Sequence, residues 1–430
     1  MKNKDKVREI IKIGIVKHLK GLSLKDISNI HDKFFFENNS SLREKSFIKN
    51  LTMTSIRNRG IIEYRISKHL KRPLPKKLIE IKAILIMGVA QILFTRVEDY
   101  AAVNTTVNFF YGKLLKWRAL SNAILRNIIR EQNNNKKNFD QSLNIPKWLH
   151  KKWRDQFGEE DTKNIICQIF KEPQLDLKVK KDFNFWKKKI GGEILINNTL
   201  RLNKKGDVTK IIGYDDGAWW VQNLAAQIPA MLLGVSKNEE VLDLCSSPGG
   251  KTAQLLNMGA LVTALDISAK KVKKLNENIA RLRLNKNLTV LTKDLLKWDS
   301  KRKYSKIILD VPCSATGTIR KNPDILWNKT EKDISRLSKL QIKLLEKAIT
   351  LLKNNGILIY CNCSLQFEEG EKVIDFFIKN KKVSLLEVKP EELKQFPNKI
   401  FNKGLIRTLP CRYNNVDGLD GFFIARLVKI

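Results

Sequence analysis

Residues 241–252 read Val-Leu-Asp-Leu-Cys-Ser-Ser-Pro-Gly-Gly-Lys-Thr, and the fold turns on how this stretch is read. Val241 to Leu244 is a run without polar/apolar alternation, the pattern of a parallel strand buried on both faces. A small-residue loop with Pro248, Gly249 and Gly250 follows, then a helical pattern from Lys251 through Ala253, Leu255 and Leu256. A strand, a glycine turn and a helix bring backbone N–H groups and a positive dipole end to one point, which suits an anionic or zwitterionic ligand. The loop lacks the Gly-x-Gly-x-x-Gly of a dinucleotide fingerprint. Gly250-Lys251-Thr252 has the ending of a phosphate-cradling P-loop, but Cys245 stands where its first glycine is required. The third reading is the S-adenosylmethionine loop of a Rossmann-like methyltransferase. There an acidic residue ending the next strand, roughly 20 residues on, holds the ribose hydroxyls. Leu261–Ile267 is the expected strand and Asp266 stands near its end. The loop alone favours the methyl-donor reading over a nucleotide hydrolase and leaves both open.

With 430 residues the chain is long enough for two or three domains, and 43% hydrophobic content suffices for ordinary cores. No apolar run approaches a membrane span, and the basic start (Met1 to Lys12) is not followed by a signal-like core. A cytoplasmic protein without membrane association is expected. The net charge of +37 argues for a polyanionic partner, although a bias to Lys, Asn and Ile also follows from AT-rich coding. The six cysteines (167, 245, 313, 361, 363, 411) include no Cys-x-x-Cys pair, so neither a disulfide framework nor a metal site is expected. All four histidines lie at or before His150, which leaves the later half without a histidine base.

Residues 1–132 read as all-helical, with Val7, Ile10, Ile11, Gly14 and Ile15, then Ile81, Leu85, Gly88, Val89 and Ile92, at helical spacing. Arg72-Pro73-Leu74-Pro75 separates two helices. Val107, Phe109 and Phe110 through Trp117 continue the pattern, and Asn122–Arg130 closes it. This is a helical bundle whose basic residues are either a wet face or, at Arg57, Arg59, Lys71 and Arg72, phosphate contacts. Residues 133–144 read as a polar linker without apolar period. Residues 145–205 form a smaller mixed segment, with a helix at Trp148–Phe157, a strand at Leu175–Val179, and a Lys187-Lys188-Lys189 run that is either solvated or part of an RNA groove. From 206 to 430 strands and helices alternate, the mark of a parallel sheet covered on both faces. The strands are expected at Val241–Cys245, Leu261–Ile267, Thr289–Thr292, Lys306–Val311, Ile357–Cys361 and Phe422–Leu427, with helices at Val221–Leu233, Ala269–Leu284 and Lys332–Leu352.

Two of these strands end in cysteine. Lys306 to Ser314 reads Lys-Ile-Ile-Leu-Asp-Val-Pro-Cys-Ser, and Ile357 to Ser364 reads Ile-Leu-Ile-Tyr-Cys-Asn-Cys-Ser. Ligands sit off the carboxyl ends of the strands in open parallel sheets, so the loop, Asp310, Cys313 and Cys363 are expected on one rim. A lone buried cysteine is usually a small apolar filler. Two at strand ends beside a methyl-donor loop point to chemistry. Cytosine C5 is too weak a nucleophile to attack a sulfonium methyl unaided, and a thiolate adding at C6 turns the ring into an enamine whose C5 can attack. A carboxyl at N3 relieves the developing charge, and a second thiol assists the later elimination.

At these residues the chain resembles a known family. Asp-Val-Pro-Cys-Ser-Ala-Thr-Gly-Thr-Ile-Arg-Lys-Asn-Pro-Asp-Ile-Leu-Trp (310–327) closely resembles the corresponding stretch of the ribosomal RNA small-subunit methyltransferase B family (Sun or Fmu), among the RNA cytosine-5 methyltransferases. Residues 243–252 are similar to its cofactor motif, 417–426 to its C-terminal strand motif, and the first 140 to its NusB-type helical domain. The resemblance implies a multidomain chain: an all-α NusB-like RNA-binding bundle followed by an α/β Rossmann-like class I methyltransferase domain with a mostly parallel sheet. It implies Cys363 as nucleophile, Cys313 for product release and Asp310 at the target base. It implies that Cys245, Ser246, Ser247, Pro248, Gly249, Gly250, Lys251, Asp266, Asp294 and Asp310 hold S-adenosylmethionine, with S-adenosylhomocysteine as product. Small-subunit rRNA would be the partner, with no obligatory protein partner, and the target base would be presented unstacked. Arg320 and Lys321, after the Cys313 loop, are expected to meet phosphates, or else to form an exposed basic loop.

The chain departs from the family where Ser246-Ser247 replace Ala-Ala, Asn362 replaces Thr, Val311 replaces Ala and Asn223 replaces Asp; Cys361 is extra. Asn362 and Cys361 put rate, not reaction type, in question. Cys313 is the rival nucleophile, another RNA such as tRNA the rival substrate, and a non-catalytic RNA-binding protein the rival class.

Overall fold

The computed structural model describes residues 5–134, 139–203, 206–393, 396, 401–410 and 419–430. Residues 1–4 of the basic start, 135–138 of the expected linker, Lys205, Cys411, and Asp417 and Gly418 of the C-terminal motif lie outside them. The chain forms two units, Met1–Asp155 with Asn322–Lys329, and Gln156–Lys321 with Thr330–Ile430.

The first unit is helical: α1 (Lys6–Leu19), α2 (Leu24–Glu37), α3 (Leu42–Arg57), α4 (Arg59–Lys68), α5 (Ile79–Phe94), α6 (Asp99–Val107), α7 (Arg118–Asn134) and the start of α8 (Lys147–Ile169). Their starts follow from capping: Asp5 and Ser23 accept from backbone N–H groups three residues on, and Ser41 with Glu44 forms a reciprocal capping box. Helix α5 is apolar on all sides and buried from Ala83 to Leu93, as a central helix must be. Around it pack α1, α3, α4, α6 and α7. Two expectations change here. The pattern through Phe109–Trp117 is not a continued helix, since α6 stops at Val107 and Gly112–Trp117 is a 3-10 turn. The expected linker is docked in its described end: Gln141–Asn144 forms a 3-10 turn, and buried Asn144 Oδ1 accepts from Ile61 N at 3.0 Å. Among the anticipated phosphate contacts, Lys71 and Arg72 are exposed. Arg59 is not: its Nε donates to Glu63 at 2.6 Å and its guanidinium lies 4.6 Å from the Trp327 ring.

Trp327 belongs to the segment 322–329, the latter part of the strongly family-like stretch. Its indole Nε1 donates to Ile56 O (3.3 Å), Asp324 Oδ2 accepts from Leu24 N (3.0 Å), and Asn328 Nδ2 donates to Leu22 O (3.1 Å). This part of the motif therefore has packing partners in helices rather than at the strand ends.

The second unit opens, after a break in α8 at Gly158 (φ 79°, ψ 174°), with a small antiparallel sheet. Its strands are β1 (Leu175–Val179), β2 (Glu193–Leu195), β3 (Thr199–Leu202) and β4 (Trp219–Val221), in order β2-β3-β1-β4, with α9 (Phe183–Ile190) between β1 and β2. This sheet runs past residue 205, where the smaller segment was expected to end. Trp219–Val221 is consequently strand, and the expected helix begins only at Leu224, where Asn223 caps α10 (Leu224–Leu233).

Strands β5 (Glu240–Leu244), β6 (Leu261–Asp266), β7 (Leu288–Thr292), β8 (Tyr304–Asp310) and β9 (Leu352–Asn362) follow, joined by α11 (Gly250–Asn257), α12 (Ala269–Arg281) and α13 (Glu331–Leu351). Helix α14 (Glu371–Lys379) and strands β10 (Val383–Leu385), β11 (Phe401–Asn402), β12 (Leu405–Thr408) and β13 (Phe422–Lys429) complete the fold. The order is β11-β12-β13-β9-β8-β5-β6-β7, with β10 also on β13; β7 to β9 run parallel, and β13 is antiparallel to β9. Alternate residues serve opposite faces. Val241, Val262, Ile308 and Ile359 join one core with α10 and α11, while Leu242, Leu265, Ile307 and Leu358 join the other with α13 and α14. Observed strands match the expected ones within a few residues. The exception is β9, whose early start at Leu352 precedes a register shift, and regular pairing resumes at Ile357. The chain leaves β5 toward β6 on one side and returns to β8 on the other, so a crevice opens above the carboxyl ends of β5 and β8. Among the described residues no helix is long and apolar enough to cross a membrane.

A buried ion pair ties the small sheet to this core. Arg201 Nε donates to Asp176 Oδ1 at 2.7 Å, and Asp176 Oδ2 accepts from Asn223 Nδ2 (3.0 Å) and Leu224 N (3.2 Å). The amide at 223 is a donor that an aspartate could not replace. Asn223→Asp sets one carboxylate against another, and the midpoint of urea unfolding should fall by the equivalent of about 2 kcal/mol; Asn223→Ser, which keeps a donor, should lose less.

Candidate active site

At the end of β5 the chain turns sharply. Cys245 adopts a φ of 57°, a left-handed conformation uncommon for a residue with a side chain. Ser246 N donates to Leu265 O (3.1 Å), and Gly249 N closes back on Ser246 O (2.9 Å). Gly249 sits at φ 98°, and a Cβ there would lie 3.0 Å from Leu275 Cγ, so glycine suits both the turn and its contact with α12. Asp266 anchors the loop from the next strand: its Oδ2 accepts from Ser247 N (3.2 Å) and its Oδ1 from Ser268 N (2.9 Å). Asp294 follows β7 on the same rim, with Oδ1 accepting from Leu296 N (3.0 Å). Lys293 N donates to Asp266 O, which ties the two strand ends together.

Beneath the loop Asp243 is fully buried, accepting from Thr252 Oγ1 at 2.6 Å. Burial pushes its carboxyl up to about 7 against that bond and the nearby Lys251 charge. Lys251 reaches across to β8, where its Nζ lies 2.6 Å from Asp310 Oδ2. Burial opposes this ammonium, but Asp310 holds its pKa well above the ordinary range. The loop lysine and the strand-end aspartate are thus one ion pair, which the sequence did not suggest. Cys245 is inert in these surroundings, because burial and the carboxylates of Asp266 and Asp310 raise its thiol pKa.

The cysteines of β8 and β9 meet. Cys313 Sγ and Cys363 Sγ are 3.5 Å apart, both partly exposed. The hydrogen bond to Cys363, then burial, holds the Cys313 thiol well above its usual pKa. Cys361 points elsewhere: it is buried, with Sγ 3.7 Å from Asp310 Oδ1, and burial keeps it protonated.

A residue that sequence reasoning missed holds this geometry. Glu369 is buried after β9, and its carboxylate accepts from Ser314 N (2.8 Å), Ser314 Oγ, Ser364 Oγ (2.6 Å) and Gln341 Nε2 (3.0 Å). Ser314 and Ser364 each directly follow one of the paired cysteines. The repeated Cys-Ser dipeptide was the available signal. Asn362 donates to Glu369 O (2.7 Å) and accepts from Ser364 N (2.9 Å), so this departure from the family's usual residue shapes the Cys363 turn. Gly317 N donates to Cys363 O (2.9 Å), and Gly421 N to Gly317 O (2.9 Å). A Cβ on Gly317 would fall 2.0 Å from Gly421 O, so glycine is required for the Cys313 loop to lie against the start of β13.

A model of 16S rRNA methyltransferase RsmB/F proteins matches residues 230–428, and one of the NusB family matches residues 8–130. The ribosomal RNA small subunit methyltransferase B of Pasteurella multocida is 32% identical over 391 residues, 86% of this chain and 84% of that protein. The chain belongs to the ribosomal RNA small subunit methyltransferase B family. Among solved structures, PH0851 aligns over 98% of this chain and 99% of its own with a TM-score of 0.76 at 22% identity, a likeness of fold. A methyltransferase homologue from Pyrococcus horikoshii covers 68% of this chain and 98% of its own, with a TM-score of 0.56 at 25% identity.

Within this member of the family, Arg320 and Lys321 differ from their expected roles. Arg320 is 4% exposed, and Lys321 pairs with Asp420 Oδ2. Arg320 is thus withdrawn from solvent, while Lys321, its side chain 34% exposed, is held by an ion pair.

Two outcomes follow from this geometry. Glu369→Gln places a donor among four donors, so mild oxidation should link Cys313 to Cys363 at least threefold more slowly than in the parent, measured by peptide mass spectrometry. For Asp243, ionisation is harder in the fold (about 7) than in the unfolded chain (3.8). Its stabilising contribution is therefore complete below 3.8 and lost as pH rises through about 7. Asp243→Asn should remove that part of the pH dependence, seen as a smaller drop in urea midpoint between pH 4 and about 7.

Proposed function

We propose that this chain transfers a methyl group from S-adenosylmethionine to C5 of one cytosine of small-subunit rRNA, through a transient bond between Cys363 and the base. The observation that carries this reading is the Cys313–Cys363 pair, 3.5 Å apart at adjoining strand ends beside the Lys251–Asp310 pair. Family membership supports rRNA methylation; the residue chemistry supports C5 of cytosine.

The residues suit the cofactor. The loop at 245–250 leads into the N-terminus of α11 at the β5/β8 crevice, and Ser247 Oγ is buried without a partner among the described residues. Asp266 and Asp294, on neighbouring strand ends, keep lone pairs for ribose hydroxyls. S-adenosylmethionine, when bound, supplies an electrophilic methyl and leaves as S-adenosylhomocysteine.

The Cys363 thiol gives its proton to solvent as Sγ bonds to C6 of cytosine, and the displaced ring electron pair makes C5 nucleophilic. Asp310 meets N3, where negative charge develops, and passes it a proton from the paired Lys251 ammonium, which takes it back when the ring is restored. Once C5 carries the methyl group and its proton has left to solvent, the sulfur–C6 bond must break. Cys313 keeps its proton beside Cys363 and gives it to the departing sulfur. The resemblance to the family, which implies attack by Cys363, favours it over Cys313 as nucleophile.

Incubation with small-subunit rRNA and S-adenosylmethionine tests this assignment. Cys363→Ala should lower turnover by at least a hundredfold and give no protein–RNA adduct on denaturing gels; Cys313→Ala should accumulate an adduct. The reverse pattern assigns the attack to Cys313, and methylation without a role for either thiol removes the covalent mechanism.

A further inference from the structure

We infer that a cavity beside the small sheet is a second RNA site, taking the phosphate and base of a single-stranded nucleotide remote from the target cytosine. This rests on the RNA substrate of the preceding reading. The cavity, about 630 Å³, is walled by the start of α9 and the end of α12, with Lys180, Lys181, Arg283, Phe185 and Trp186 facing it. That volume lies in the range of small-ligand sites.

The wall carries three cations, Lys180, Lys181 and Arg283, against two carboxylates. Among the described residues none of Lys180, Lys181 and Arg283 makes an ion pair, and Lys180 Nζ instead donates to Leu282 O at 2.7 Å. Burial, then the like charges of Lys181, Arg283 and Arg281, lowers the pKa of Lys180. Asp182 and Asp216 also line the cavity and form no ion pair there among the described residues, which leaves the wall with a positive excess.

Aromatic rings stand beside the charge. Phe185 is 53% exposed and meets Trp186 edge-on at 5.1 Å. Trp186 is fixed from behind by Gly213, where a Cβ would fall 2.6 Å from the indole. A phosphate-binding edge with an open ring beside it matches how single strands are held, by backbone charge and base stacking. The face of the small sheet offers no such platform, because Asp176 to Val179 are buried on both sides. Lys187, Lys188 and Lys189 lie exposed on the same α9, and Lys189 Nζ is 5.8 Å from the Phe185 ring.

Position sets the role. Helix α12 leads from the rim at Asp266 to Arg281, about 20 Å along its axis for 13 residues, so the cavity lies at the far end of this helix from the rim. The cavity cannot hold the target base, and it anchors RNA some nucleotides away. Removing it should change RNA affinity but not the chemical step.

The test uses the full chain, small-subunit rRNA and a salt series. Lys181→Gln/Arg283→Gln should raise the KM for rRNA about tenfold and reduce the slope of log affinity against log salt by about one to two. It should leave kcat at saturating RNA and S-adenosylmethionine affinity unchanged. Phe185→Ala should weaken RNA about threefold with the slope intact, as loss of stacking requires. Unchanged KM and salt slope in an active double variant overturn the proposal, as does a kcat loss at unchanged KM. If the parent methylates no rRNA, the functional reading fails separately, and filter retention of rRNA by parent and variant still decides the cavity.

Discussion

Taking a carboxylate out of water is costly unless every lone pair finds a donor, and Glu369 meets that condition by collecting donors from three directions. Ser314 comes from the loop after β8, Ser364 from the turn after β9, and Gln341 from α13. Satisfying one buried charge therefore fixes the separation of the two loops that carry Cys313 and Cys363. Backbone links from Gly317 to Cys363 and from Gly421 to Gly317 add the start of β13 to the same cluster. Direct bonds between the loops add to this constraint, among them Leu365 N donating to Thr316 Oγ1 at 2.9 Å.

A second charge cluster joins the cofactor loop to the same rim. Lys251 is nearly buried and faces Asp310, while Asp243 lies beneath both and avoids ionising. One ammonium among several carboxylates can fully pair with only one of them. It takes Asp310 at the strand end, and the most buried acid keeps its proton to higher pH. The Lys251–Asp310 bond crosses the opening between β5 and β8, so the loop after β5 and the carboxylate at the end of β8 are positioned together. This also explains why Cys361, adjacent to Asp310, is a neutral neighbour of the pair and no rival to Cys363.

The small sheet is joined to the larger domain through charge as well. Asp176 and Arg201 are buried together, and Asn223 supplies the remaining donor at the cap of α10. The family's more usual aspartate at 223 would face the Asp176 carboxylate, which accounts for an amide in this chain. In the helical unit, by contrast, order comes from apolar burial: α5 has no polar face, and its neighbours cover it on every side.

Fold class and strand positions were legible in the sequence because they depend on local periodicity. Apolar runs in the 241–244 and 306–311 regions, the small-residue loop, and helical spacing in the first 130 residues each state their structure within a window of ten or so residues. The cysteine-bearing strand ends and Asp266 were legible for the same reason, since a parallel sheet directs all such ends to one rim. Other features arise from contacts between residues far apart in the chain, and no local pattern encodes them. Lys251 finds Asp310 across 59 positions and Ser314 finds Glu369 across 55. Arg320 was read as a phosphate contact because sequence shows charge but not burial. Strand β4 at Trp219–Val221 was not anticipated, and Val221 was read as the start of a helix, because its pairing partner, β1, lies some 40 positions earlier. The sequence by itself determined which elements form and which residue types meet at the rim. Tertiary structure alone decided which charges pair, because burial and distance fix that choice.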